Sequence, residues 1–172
     1  TDGAYLKRQI PLRIRVGSFR HSRSQRRTHR KNADLRTVFT AANPGCAEEN
    51  LFNLHKLRFE ENVPETLEDF LGSGPAEYPC SYQQLSVYLK DQLIAVSFMA
   101  LGRRSCSSIY AAFAPEFSRR RLGIYTLLSE LEFARGHDMK FHYIGYATME
   151  PSCYAVSYTH LRAHETREER GV

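Results

Sequence analysis

Residues 93–147 read LIAVSFMALGRRSCSSIYAAFAPEFSRRRLGIYTLLSELEFARGHDMKFHYIGYA. The first nine residues, 93–101, are almost wholly apolar, which is typical of a central strand that is buried on both faces. The rest of the stretch alternates between strand-like and helix-like patterns. We predict a strand at 107–113, a loop at 115–118, a helix from about 122 to 136 and a strand at 141–147. A helix between two strands predicts an α/β fold in which the helix crosses over the sheet.

The N-terminal half has the same mixture of patterns. Residues 10–16 alternate apolar and basic side chains, which predicts a half-buried strand with Arg13 and Arg15 on its open face. Ser22 and Gln25 have the spacing of a capping box, which predicts a helix that continues to about Asn32. Further along the chain we predict a strand at 35–42, a helix at 47–61, a helix beginning at Pro64, a loop at 72–75 and a strand at 83–89.

Positive charge is concentrated near the N-terminus. Residues 7–31 contain ten Lys and Arg and no Asp or Glu, although the whole chain carries a net charge of only +5. Arg23, Arg26 and Arg27 lie in the first half of the predicted helix, where positive charge opposes the helix dipole. Because helix stability does not explain this charge, we expect a phosphate-rich partner, with RNA as the leading candidate. The alternative is a solvated basic surface that has no partner.

Composition excludes several classes of protein. A hydrophobic content of 42% and an aromatic content of 12% indicate a folded core rather than disorder. No apolar run approaches the ~20 residues of a membrane span, and no signal peptide is visible. Four cysteines with no zinc-like or disulfide-like spacing indicate thiols in a reducing cytosol. His160 and His164 have helical spacing, but Leu161 stands where a metalloprotease motif needs Glu, so we predict no metal site there.

Three motifs together resemble one known family. They are SRSQRR at 22–27, RKNADL at 30–35, and SSIYAAFAPEFSRRRLGIYTLLSELEFAR at 107–135, which is followed by YIGYA. The block at 93–147 resembles the core of the GNAT acyltransferases, and the motifs resemble the arginyl/leucyl-tRNA–protein transferases of the N-end rule. The resemblance covers about residues 8–154 and implies a mixed, mostly antiparallel sheet with flanking helices.

The resemblance also implies a domain arrangement. Residues 1–34 would be a basic strand–helix segment that ends an N-terminal domain, and residues 35–155 an incomplete transferase domain. Residues 156–172 resemble translated sequencing adapter and are expected to be a non-native tail, so the fold is expected to be truncated at both ends. Family members often carry a Cys-x-x-Cys before the first strand, but Leu6 and Gln9 occupy those positions here. We therefore expect no metal and no iron–sulfur centre from this segment.

The implied activity is transfer of Leu or Arg from aminoacyl-tRNA to the N-terminal amine of proteins that begin with Asp or Glu. The aminoacyl-tRNA is a co-substrate, and no cofactor is expected. A cytoplasmic monomer without membrane contact is implied. The segment from Arg120 to Tyr125 resembles the pyrophosphate loop of GNAT enzymes, but Tyr125 stands where that loop has a small residue. The phenol ring would crowd coenzyme A, which favours the tRNA acceptor end as the bound anion. Ala114 replaces an Asp that is common in the family.

Candidate site residues follow from the charge pattern and the resemblance together. The candidate catalytic residues are Tyr110, Tyr125 and Tyr146. The candidate residues for binding substrate or tRNA are Arg13, Arg15, Arg23, Ser24, Gln25, Arg26, Arg27, Lys31, Asn32, Arg120, Leu122, Gly123 and Gly145. The tyrosines have an alternative role in the core, and His142 is interpreted as structural. The arginines at positions 13, 15, 26 and 27 suit either phosphate or the acidic first residue of the acceptor.

Three rival functions remain open at this point. An acetyl-CoA-dependent N-acetyltransferase would use the same fold with another donor. An RNA-binding module would bind tRNA without chemistry. A fragment that lacks part of the protein would be inactive by itself.

Overall fold

The computed structural model describes residues 9–59, 65–72 and 80–148. Five helical segments and six strands account for most of these residues. In chain order they are β1 (Gln9–Arg15), α1 (Arg23–Lys31), β2 (Arg36–Ala41), α2 (Cys46–Lys56), α3 (Glu68–Leu71), β3 (Ser81–Leu89), β4 (Gln92–Leu101), β5 (Ser105–Phe113), a 3₁₀ helix (Pro115–Arg120), α4 (Leu122–Gly136) and β6 (Phe141–Thr148).

The six strands form one mixed sheet in the order β1-β6-β5-β4-β3-β2. Neighbouring strands are antiparallel except β5 and β6, which are parallel and are connected through α4. A parallel pair needs such a crossover because a hairpin can join only antiparallel strands. The predicted mixed and mostly antiparallel sheet is therefore confirmed. The sequence predicted a boundary between domains at residue 34, but β1 from before that residue and β2 to β6 from after it belong to the same sheet.

Helices cover both faces of the sheet. Met99 on β4 packs with Leu128 and Leu131 of α4, while the preceding residue, Phe98, packs in a different cluster with Phe52 of α2. Successive residues of a strand point to opposite faces, so α4 and α2 lie on opposite sides. Helix α1 packs against α4 and so lies on the α4 side.

The secondary structure differs from the sequence prediction in three places. The predicted loop at 115–118 is part of the 3₁₀ helix, because Pro115 at its first position already has a helical φ. The helix predicted at 47–61 ends earlier, at Lys56. The helix predicted to begin at Pro64 is seen only as the four residues of α3, and Pro64 itself lies outside the described residues. The tail predicted at 156–172 lies outside them too.

The described part of the chain contains no helix that combines the length and the apolar character of a membrane span.

Candidate functional site

Helix α1 presents a row of exposed cations. The predicted capping box is present: the Ser22 hydroxyl accepts a hydrogen bond from the Gln25 N–H (3.2 Å), and the Gln25 side chain accepts one from the Ser22 N–H (2.7 Å). The helix has no acidic residue in its first turn. Its exposed basic side chains are Arg23, Arg26, Arg27, Arg30 and Lys31. Burial of Gln25 and Thr28 holds the opposite side of the helix against the protein.

The C-terminal end of α1 is bonded to the turn that precedes α4. Lys31 Nζ donates a hydrogen bond to the carbonyl of Arg119 (2.6 Å). The fully buried Asn32 donates from Nδ2 to the carbonyls of Thr28 and Arg120, both at 3.0 Å. These contacts join the two basic segments that the sequence places nearly ninety positions apart, so that both lie on one side of the molecule.

Arg120 forms a bidentate ion pair with Asp34. Its NH1 and NH2 nitrogens lie 2.8 and 2.9 Å from the two carboxylate oxygens. The hydrogen bond from Arg120 lowers the pKa of the Asp34 carboxyl below its ordinary value. The neighbouring Arg119 side chain is exposed, so the turn presents that charge to solvent while the charge of Arg120 is matched by Asp34.

The residue that precedes helix α4 has a strained backbone. Arg121 has φ +58°, which is left-handed and uncommon for a residue other than Gly. Its NH1 donates to the Ser24 hydroxyl on α1 at 3.0 Å. The first residue of α4, Leu122, is fully buried, whereas Gly123 is partly exposed beside Phe113 at the end of β5. A Cβ at Gly123 would lie 3.6 Å from the Phe113 ring, an ordinary contact, so packing alone does not require glycine there.

Tyr125 fills the space behind this turn. Its ring is 8% exposed and meets the ring of His29 edge to face at 5.8 Å. Burial raises the pKa of the Tyr125 phenol, and the carboxylates of Glu132 and Asp34 raise it further. The phenol therefore stays protonated at neutral pH.

The strands β5 and β6 separate to form a notch in the sheet. Their parallel pairing runs from Ser105 with Phe141 to Ser107 with Tyr143, and no later pair joins them among the described residues. Just beyond that pair, the register of β5 against β4 skips Ile109, and the register of β6 against β1 skips Ile144. A bulge bends a strand and increases its twist, so a bulge in each strand accounts for their divergence.

The bulge at Ile109 also changes which face of the sheet the side chains occupy. Ser108 contacts Glu130 of α4, but Tyr110 stacks on Phe70 of α3 at 4.3 Å, on the α2 side. In a regular strand these two side chains would share a face.

A buried polar cluster lies at the base of the notch. Ser108 donates a hydrogen bond to Glu130 Oε2, and His142 Nε2 lies 2.9 Å from Ser108 Oγ and 3.1 Å from Glu130 Oε2. His142 is fully buried and Glu130 is 2% exposed. Both oxygens can accept from an Nε2–H, and Nδ1 has no partner among the described residues, so we assign a proton to Nε2.

The three candidate tyrosines do not converge on one point. Tyr110 packs among aromatic side chains on the α2 side, and Tyr125 lies on the α4 side. Tyr146 is 64% exposed on β6, beyond the point where the notch opens. The preceding Gly145 has φ +120°, a conformation that other residues rarely adopt.

The candidate arginines fall into two separate groups. Arg13 and Arg15 are exposed on β1, on the face opposite to Ile14, which packs in the cluster of α4. The guanidinium of Arg13 lies over the ring of Phe141 at 4.4 Å. These two arginines therefore lie on the other side of the sheet from the basic face of α1.

Sequence reasoning did not single out Ser108 and Glu130, and it interpreted His142 as structural. A polar residue at a helix position that should be apolar was the available signal for Glu130, since Leu127 and Ala134, three positions before it and four after it, pack in the core. It also missed a group with metal-binding side chains. Among the described residues, His21, His29 and Glu132 place one ligand atom each within 4.8 Å of one another.

Comparison with solved structures identifies the fold. The C-terminal domain of a protein assigned as a lysylphosphatidylglycerol synthetase from Agrobacterium fabrum matches with a TM-score of 0.61 and 12% identity, over 83% of this chain and 48% of that chain. FemX matches with a TM-score of 0.58 and 10% identity, over 87% of this chain and 56% of its own. At such low identity these matches bear on the fold alone. The predicted α/β fold class, a mixed and mostly antiparallel sheet with flanking helices, is confirmed.

Comparison of sequences gives relatives with assigned names. An aspartate/glutamate leucyltransferase from Marinobacter nauticus is 31% identical over 155 residues, which cover 87% of this chain and 63% of the relative. The protein of the same name from Campylobacter jejuni is 27% identical over 164 residues, covering 87% of this chain and 64% of the relative. The chain thus spans somewhat less than two thirds of the length of these relatives.

A family model described as the C terminus of arginine-tRNA-protein transferase matches residues 23–161, which include α1, the α4 turn and both strands of the notch. The predicted family is confirmed, and this chain belongs to the arginine-tRNA–protein transferases, matching the C-terminal part of that family.

Proposed function

We propose that the protein transfers an amino acid from aminoacyl-tRNA to the N-terminal amine of a protein. The observation that supports this most strongly is the direct bonding of α1 to the turn before α4. Gly123 lies beside Phe113, at the end of β5 toward which the notch opens, so the basic surface and the notch meet at one end of the sheet. An RNA held along α1 would bring its acceptor end to the notch.

Binding of the tRNA would rest on exposed charge. Arg23, Arg26, Arg27 and Lys31 would contact phosphates along α1, and Arg119 would extend this surface at the turn. The buried Gln25, Asn32 and Leu122 would position these segments rather than touch the RNA. Ser24 and Arg120 would also position these segments, Ser24 through its hydrogen bond from Arg121 and Arg120 through its ion pair with Asp34. Tyr146 is exposed enough to stack on a base of the acceptor end.

The reaction needs little beyond positioning, because the ester of aminoacyl-tRNA is already activated. The amine nitrogen attacks the ester carbonyl, a C–N bond forms, and the C–O bond to the ribose breaks. Backbone N–H groups along the unpaired edges of the notch are suited to bind the oxyanion. No cofactor takes part in this scheme.

The cluster at the base of the notch offers a path for the proton. In this scheme the attacking amine gives its proton to Ser108 Oγ as the Ser108 hydroxyl proton passes to Glu130. When the C–O bond breaks, the Ser108 hydroxyl proton passes to the ribose oxygen and Glu130 gives its proton back to Ser108. His142, which donates from Nε2, would hold the Glu130 carboxylate in place.

The names of the relatives support a more specific proposal about the substrates. We propose leucine as the transferred amino acid and proteins beginning with Asp or Glu as acceptors, because the relatives are named aspartate/glutamate leucyltransferases. Arg13 and Arg15 lie away from the proposed RNA surface, which makes them candidates for recognising the acidic first residue.

The test is a transfer assay with the full chain. Radiolabelled leucyl-tRNA and arginyl-tRNA would each be incubated with peptides that begin with Asp, Glu or Ala and are otherwise identical. We expect label on the Asp and Glu peptides from leucyl-tRNA. Tight tRNA binding without labelled peptide would instead support an RNA-binding module. Thermal stabilisation by acetyl-CoA without stabilisation by tRNA would support an acetyltransferase.

A further inference from the structure

Two histidines and a glutamate meet between α1 and α4. His21 precedes α1, His29 lies within it, and Glu132 lies on α4. The two imidazole rings are stacked, with centroids 4.9 Å apart and planes 11° apart. Glu132 Oε1 lies 3.5 Å from His29 Nε2 and 4.0 Å from His21 Nε2. Three potential ligand atoms are therefore gathered at one point.

The Nε2 nitrogens of His21 and His29 make no hydrogen bond among the described residues. Both Nε2 atoms are buried. A buried polar atom without a partner destabilises the fold, and each such atom in a folded protein calls for an explanation. Both atoms point toward the same carboxylate, so one bound group could satisfy them together.

We propose that His21, His29 and Glu132 bind a zinc ion. Two imidazole nitrogens and one carboxylate oxygen are ligands that zinc prefers, and three protein ligands leave the fourth tetrahedral position for water. Zinc–ligand bonds of ~2.0–2.2 Å place neighbouring ligand atoms roughly 3.3–3.5 Å apart in a tetrahedral site. The observed separations of 3.5 and 4.0 Å from the carboxylate oxygen are close to this spacing.

A modest adjustment of the rings completes the site. Rings only 11° from parallel direct their Nε2 lone pairs side by side rather than toward a common point. Rotation about the last side-chain torsion of histidine is broad in energy, so each ring can tilt toward the ion. Glu132 is half exposed and can follow.

The surrounding charges act in both directions. Burial and the neighbouring His29 lower the pKa of the His21 imidazole, and this favours the neutral ring that binds metal. Arg26 and Arg135 add positive charge that opposes a dication, although each donates a hydrogen bond to a carbonyl, of His21 and of Phe19 respectively. We therefore expect weaker binding than in zinc sites made of thiolates.

A zinc ion bound to these residues would link α1 to α4. The loop before α1, the helix itself and α4 would each contribute one ligand, and this would hold the exposed arginines of α1 beside the α4 turn. This inference does not depend on the proposed transfer reaction, since it concerns binding of a metal to the folded chain.

The experiment measures binding of the metal alone. The full chain would be stripped with a chelator, dialysed and titrated with Zn²⁺ against a chromophoric competitor, and Co²⁺ would be used to record visible absorption. We expect one site per chain and the intense absorption bands of four-coordinate Co²⁺. His29→Gln and Glu132→Gln should each weaken Zn²⁺ binding by more than the ~10–100-fold that loss of an outer-shell partner causes.

Two matched variants serve as controls. His137→Gln removes an exposed histidine directly after the last residue of α4, and the pair His160→Gln and His164→Gln removes the helically spaced histidines of the tail. Both should bind Zn²⁺ as the parent chain does. Glu132→Gln keeps the shape of an exposed side chain, so its effect is separate from misfolding, which circular dichroism would check. Unchanged Zn²⁺ affinity in Glu132→Gln and His29→Gln, or loss of binding in the tail variant, would overturn the proposal.

Discussion

Single residues at the β5 bulge determine the chemistry available in the notch. The sequence SSIYAAF reads as an uninterrupted strand, and its period of two places Ser108 and Tyr110 on one face. The extra residue Ile109 separates them, so Ser108 reaches Glu130 while Tyr110 joins the aromatic cluster on the other side. No glycine marks this bulge, which is why local sequence could not reveal it. The pairing of Arg120 with Asp34 was hidden for a similar reason, since it joins distant segments.

Ser108→Ala tests the proton path at this scale. The kcat of the proposed transfer should fall by a factor near the lower end of the ~10²–10⁴-fold that a positioned proton-transfer group contributes. KM for aminoacyl-tRNA should stay unchanged, because Ser108 is not among the residues proposed to bind the RNA. Single-turnover transfer kinetics would separate an effect on the chemical step from an effect on tRNA binding. Ser107→Ala provides the neighbouring control. A rise in KM at constant kcat would argue against a role in proton transfer.

Cys106 gives a pH dependence with a definite sign. Burial raises the pKa of the Cys106 thiol from an ordinary 9.0 to about 12, and the nearby Glu130 carboxylate adds to the shift. Between these two pKa values the unfolded chain has released a proton that the folded protein still holds, so rising pH favours unfolding. We expect the stability advantage of the parent chain over Cys106→Ala to be complete below pH 9 and to shrink as pH rises above it.

Urea denaturation at a series of pH values would measure this difference. Cys46→Ala removes an exposed thiol and should show no such trend. A constant difference between the parent chain and Cys106→Ala from pH 8 to 11 would contradict the assignment.

At the scale of elements, α1 follows closely from its sequence. The capping box at Ser22 and Gln25 was predicted and is present, and the helix ends one residue before the predicted Asn32. The same local rules located the strands to within a few residues. They could not show that α1 packs on α4, because that contact depends on Asn32 and Lys31 reaching carbonyls far along the chain.

The cap itself is open to a direct test. Ser22→Ala removes the hydroxyl that accepts from the Gln25 N–H, and loss of such a cap costs about 1 kcal/mol of stability. Chemical denaturation would measure the change. Ser24→Ala removes a hydroxyl of equal size two residues later, outside the cap, where it accepts an exposed hydrogen bond from Arg121, and it should have a smaller effect. Equal effects of the two variants would show that the cap is not what stabilises α1.

Charge reversal at the two ends of α1 separates stability from binding. Arg23→Glu puts an acid in the first turn, which should raise stability by about 0.3–1 kcal/mol through the helix dipole. Arg30→Glu makes the same change in the last turn and should lower stability. Both variants should weaken tRNA binding if these arginines contact phosphate. Thermal denaturation and a filter-binding assay would measure the two effects, and unchanged tRNA affinity in both variants would leave the basic surface without its proposed partner.

At the scale of the whole molecule, the crossover through α4 brings the functional elements together. The order β1-β6-β5 puts β1 beside β6, and the first turn of α4 lies against α1. The charge distribution predicted a basic surface, and the strand and helix patterns predicted an α/β sheet. They could not divide the arginines between faces, since the position of Arg13 and Arg15 behind the sheet depends on how β1 pairs with β6.

Helix α1 and the turn before α4 are proposed to bind one RNA. The most direct measurement is the dissociation constant of tRNA over a range of salt concentrations for the parent chain and three variants. They are Arg26→Gln with Arg27→Gln on α1, Arg119→Gln at the turn, and Arg13→Gln with Arg15→Gln on the other face as a control of matched charge. Each lost phosphate contact should reduce the salt slope by ~0.7–0.9. We expect weaker binding and a shallower slope for the α1 and turn variants and parent-like binding for the control; equal losses in all three, or none at the turn, would contradict the claim.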